Sequence, residues 1–99
     1  MTEKVFLTSD LARAARAFTK VSAATIAKKA GVTREQVKEF ERGRGNLSDD
    51  EKSRVRASLE FYGVLFIPED DLAGYGVRRR YTREKLMRLN DWEDEGGYS

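Results

Sequence analysis

The strongest constraint on this fold is one glycine, Gly31, set between two short runs whose apolar residues recur at helical spacing. Upstream, Ile26, Ala27 and Ala30 share one helix face, and downstream Val37 and Phe40 share another. Glycine enters the left-handed backbone without a Cβ penalty, so a helix ending there can turn sharply. Val32 plugs inward just past the turn. Thr33 and Gln36 then form a T-x-x-Q capping box that starts a new helix within a few residues. Helices joined this tightly cross at a steep angle. Ala27 is small at the crossing and Val37 fills the gap, which leaves the opposite face of the second helix free.

Around this pair the sequence predicts a mainly α fold. Thr8 or Ser9 caps a first helix over 8–19, with Asp10 near its positive end and Leu11, Ala14, Ala15 and Phe18 facing inward. Ser22 caps the helix over 22–30, and the third runs over 33–42 until Gly43 stops it. Ser48 and Glu51 make a second capping box, opening a fourth helix over 48–62 with Val55, Leu59 and Tyr62 inward and Gly63 at its end. The pattern then changes. Val64-Leu65-Phe66-Ile67 is a β-prone run over 64–67 halted by Pro68, and a returning strand is expected over 76–81 after a turn marked by Asp70, Asp71 and Gly74. Thr82 caps a last helix over 82–93, with Leu86 and Leu89 inward and Trp92 near its end. The chain thus divides into a helical domain, 1–63, and an extension of strands and helix, 64–99.

A length of 99 residues allows one modest core. Cysteine and histidine are both absent, so disulfides and thiolate metal sites are excluded and no metal site is expected. Acid–base chemistry would fall to carboxylates, Lys or Tyr. The carboxylates lie on solvated helix faces, and no phosphate-cradling loop or nucleophile–base set is visible, so neither an enzyme nor a cofactor is expected. No apolar run approaches the ~18 residues that span a bilayer. Met1-Thr2-Glu3-Lys4 lacks the basic region and apolar core of a signal peptide, so none is expected. The expectation is a cytoplasmic protein, bacterial or phage-encoded, with no membrane partner.

The informative window is 23–42. In detail it resembles the Xre/Cro-like, lambda-repressor-like helix-turn-helix family, over about residues 7–62. The matching features are Arg13-Ala14-Ala15-Arg16-Ala17 in the first helix, Ile26-Ala27-x-x-Ala30-Gly31-Val32, Thr33-Arg34, Glu41-Arg42-Gly43 and Asn46-Leu47-Ser48. The tail resembles that of a bacterial subgroup of small regulators with a short β extension, through Gly63-Val64-Leu65-Phe66-Ile67-Pro68-Glu69 and Gly76-Val77-Arg78. Membership implies a helical bundle that binds inverted repeats of double-stranded DNA as a homodimer and regulates transcription, usually as a repressor.

Carried over position by position, the resemblance places Thr33, Arg34, Glu35, Gln36, Lys38 and Glu39 at base contacts. Ala23, Arg42, Arg44 and Asn46 fall at backbone contacts. Arg34 suits a guanine O6/N7 pair, and Gln36 suits adenine although its capping role competes. Relatives commonly have Gln where this chain has Ala23. The resemblance also implies a buried, structural ion pair between Arg16 and Glu41. Residues 34–42 hold three bases and three acids, so affinity must come largely from elsewhere. Arg44 and the Arg78, Arg79, Arg80 cluster are the reserves, for DNA or for a partner. Charge on those arginines equally protects an edge strand from aggregation. Val64, Phe66, Leu89 and Trp92 are dimer candidates. A basic stretch, 78–88, precedes Asp91, Glu93, Asp94 and Glu95, a pattern that fits two binding faces or an internal charge pairing. The alternative function is an antitoxin or protein-binding adaptor that grips a partner protein through the extension.

Overall fold

In the computed structural model, which describes residues 6–81, each helix starts where a hydroxyl receives an otherwise orphaned amide. Thr8 caps α1 (Ser9–Thr19) and Ser22 caps α2 (Ala23–Ala30). Full capping boxes open α3 (Arg34–Glu41), through Thr33 and Gln36, and α4 (Asp49–Phe61), through Ser48 and Glu51. Gly31 ends α2 at φ 76°, its N–H reaching the carbonyls of Ala27 and Lys28. Strands β1 (Val64–Ile67) and β2 (Gly76–Arg79) then pair antiparallel, Val64 opposite Arg79 and Phe66 opposite Val77. The second strand is shorter than the expected 76–81, although the Arg80 N–H still donates to Gly63 O at 2.8 Å.

One apolar cluster joins Leu7, Leu11, Ala12, Ala15, Ile26, Ala30, Leu47, Val55, Leu59 and Val64, with Phe66, Tyr75 and Val77 packed against it. The hairpin therefore shares the core of the helices and does not build one of its own. Two inward faces differ from expectation. On α1 the buried stripe is Leu11, Ala12 and Ala15, leaving Ala14 exposed and Phe18 38% exposed. Phe18 turns toward the hairpin because Arg79 lies over its ring, 5.5 Å from the centroid. Val64, expected at a dimer contact, is fully buried in the shared cluster, and Phe66 is half-buried beneath the Arg56 guanidinium at 4.9 Å. Neither is a free apolar surface. The expected helix over 82–93, with Leu89 and Trp92, lies outside the described residues. No helix among the described residues is long and apolar enough to cross a membrane.

Candidate nucleic-acid interface

The α2–α3 unit is held from three sides. Ala23, Ala27 and Val37 form a small cluster of their own, joined by Val32. Val32 precedes the cap of α3 and Val37 is one turn inside it, so the pair fixes the angle at which the chain enters the helix. From α4, the buried Ser58 hydroxyl donates to Ile26 O at 3.0 Å, tying α4 to the middle of α2. The turn itself is braced by Arg54, whose Nη1 donates to Ala30 O at 2.8 Å and Gly31 O at 3.2 Å, while Asp50 holds its Nε at 3.0 Å. A Cβ on Gly31 would lie 2.9 Å from that Nη1. Gly31→Ala therefore combines a strained positive φ with displacement of Arg54. It should cost about 1–2 kcal/mol in chemical denaturation; an unchanged midpoint would mean that the turn tolerates a side chain.

The far end of α3 is fastened to α1. Arg16 makes a two-pronged pair with Glu41, Nε to Oε2 at 2.6 Å and Nη2 to Oε1 at 3.0 Å. Hydrogen bonding to Glu41 raises the Arg16 pKa above its ordinary value. Arg13 adds a hydrogen bond from Nη1 to Glu41 O, placing a cation at the negative end of α3.

With both ends fixed, α3 presents a polar outer face whose members differ in what they have left to offer. Arg34 and Glu35 are exposed, and their only ion pair among the described residues is with each other, at 3.4 Å. Thr33 is exposed, its Oγ accepting the Gln36 N–H. The Gln36 amide is engaged at both ends: Oε1 accepts from Thr33 N–H at 2.9 Å and Nε2 donates to Glu51 Oε2 at 3.2 Å. That side chain links the starts of α3 and α4 and is not free for a base. Each Glu39 oxygen faces a cation, Arg42 at 3.1 Å and Arg44 at 3.4 Å, so this acid sets the loop after α3. Lys38 has no ion pair among the described residues, and Asn46 is exposed. Ala23 is buried against Val37, so only the main chain at that position can meet a ligand.

Two cap carboxylates have lowered pKa values. Glu51 receives the Ser48 N–H first and then the Gln36 amide. Asp10 is lowered chiefly by the Thr8 hydroxyl, with the Leu11 N–H adding to it. A depressed folded pKa gives stability that is present above the unfolded value and lost as pH falls through the folded one. The thermal midpoint should therefore drop on acidification below about pH 4. Glu51→Gln should flatten that profile; a profile unchanged by the substitution would contradict the assignment.

The arginine cluster is split by the pleat. Arg78 and Arg80 are exposed, whereas Arg79 folds onto Phe18, its Nε buried without a hydrogen-bond partner among the described residues. α1 lies between β2 and α3, so these arginines do not adjoin the outer face of α3. Sequence reasoning did not single out Arg13 or Arg54 for their bracing roles. Arg54 shows only an i, i+4 relation to Asp50, and nothing in the chain marks its reach to the α2 terminus. Arg13 lies in the first-helix run noted above, but spacing alone does not aim it at α3. No family model and no curated protein matches the chain, so the interface rests on its own geometry.

Proposed function

We propose that the chain is a sequence-specific DNA-binding transcriptional regulator of the Xre/Cro-like helix-turn-helix type, with α3 in the major groove. The observation that carries this reading is the division of labour on α3. Val37, Glu41 and Gln36 fix the helix from behind, while Arg34 and Glu35 are exposed and ion-paired only with each other among the described residues. Arg34 supplies the two parallel donors that a guanine edge accepts, and Glu35 can accept from cytosine N4. Thr33 at the helix start, Lys38, Arg42 and Arg44 meet phosphates, with Glu39 holding the last two in place. One short helix reads too few base pairs for a unique site, so the protein acts as a homodimer on an inverted repeat, in the cytoplasm, repressing by occlusion of polymerase. Selection of bound duplexes from a random pool tests this. Enriched sequences should contain two related half-sites about one helical turn apart. A pool that stays random after repeated rounds would overturn it.

The second role, as an antitoxin or adaptor, is favoured by one observation. Phe61 is 63% exposed, and Leu65 and Ile67 on the outer side of β1 are partly uncovered. Changing Leu65 and Ile67 to Ser should abolish such a protein complex and leave DNA selection intact.

A further inference from the structure

Between α1 and α3 lies an open depression lined by Arg13, Arg16, Ala17, Lys38, Glu41 and Arg42. Four of these side chains are cations, and the single carboxylate is already occupied by Arg16 at both oxygens. Glu39 offsets Arg42 in part, whereas Arg13 and Lys38 have no ion pair among the described residues. Cations converging on one concavity raise the local potential and attract an anion.

The chain carries a matching group. Residues 91–95 include Asp91, Glu93, Asp94 and Glu95 with no base among them. The tether begins close to the depression. β2 ends at α1, where Arg79 covers Phe18, and Phe18 follows Ala17, which lines the depression. The way round α1 is about half its circumference, ~16–19 Å. Residues 82–90 reach ~30 Å when extended, which suffices. We propose that 91–95 dock in this depression in the DNA-free protein, their carboxylates against Arg13, Lys38 and Arg42. Arg78 and Arg80 are nearer to the tether, but they are two exposed cations at a strand edge, against four around the depression. Because Lys38 and Arg42 also belong to the DNA-facing surface, the docked tail competes with phosphates. That consequence rests on the proposed function; the docking does not.

The absence of cysteine makes Ser99→Cys a single attachment point for a nitroxide on the full chain. In low salt, the amide signals of Ala17, Lys38 and Arg42 should broaden. The broadening should vanish when Asp91→Asn, Glu93→Gln, Asp94→Asn and Glu95→Gln are combined, or at about 0.5 M salt, where charges are screened within a few ångströms. Broadening confined to residues 76–80, or insensitive to neutralisation, overturns the docking. In a parallel titration, the neutralised protein should bind any duplex on the order of fivefold more tightly. Unchanged affinity beside neutralisation-sensitive broadening overturns the competition alone. If neither protein binds DNA while the broadening behaves as expected, the docking stands and the DNA reading fails.

Discussion

An Arg16→Met variant is expected to lose about 3–5 kcal/mol of folding stability, because it strands the carboxylate of Glu41 in the protein interior. Glu41 is 5% exposed, and both of its oxygens are satisfied by the Arg16 guanidinium. Arg13 does not replace it, since its bond goes to the main-chain oxygen of Glu41. Met keeps much of the arginine stem's volume, so the loss reports the stranded charge more than a cavity. Removing both charges, Arg16→Met with Glu41→Leu, should recover most of the loss, as neither ion then remains without a partner. Urea denaturation with a constant slope would measure both. A cost below about 1 kcal/mol for the single variant would place the pair among surface ion pairs, which contribute little.

Replacing Arg34 with Ala should relax sequence discrimination by about 1–3 kcal/mol, the value of one bidentate contact to a base edge. Arg34 is exposed and its only ion pair among the described residues is the exposed one with Glu35, so folding stability should stay within about 0.5 kcal/mol. Arg44→Ala should behave differently. It removes a phosphate contact, weakening all duplexes alike and reducing the salt slope by about one. Fluorescence anisotropy on selected and scrambled duplexes, across a salt series, separates the two patterns. Equal weakening of both duplexes by Arg34→Ala would remove this residue from the base-reading set.

The helices were legible because their starts and stops are written locally. The hydroxyl caps at Thr8, Ser22, Thr33 and Ser48 and the glycine after α2 each act within a few residues, so reading along the chain finds them. The rotation of α1 was not legible, because Ala12 and Ala14 are the same residue and nothing local says which is covered: Ala12 enters the shared core, while Ala14 borders an open depression beside Tyr75 and Val77. Val64 looked like a dimer contact for the same reason: its burial depends on sharing a core with α1 and α2, far upstream in the chain. On α3, the sequence placed the polar face correctly but could not separate free side chains from engaged ones. Gln36 and Glu39 have the chemistry of base readers, yet each is tied down by residues outside its own helix, Glu51 on α4 and Arg44 in the following loop. Such ties depend on where loops and neighbouring helices fall.

Titrating a selected duplex into isotopically labelled protein tests most directly which surface meets DNA. The largest amide shifts are expected on residues 33–39 and 42–46, with the hairpin residues 64–79 little changed. Shifts concentrated on the hairpin, with Arg34, Glu35 and Lys38 silent, would contradict an interface on α3.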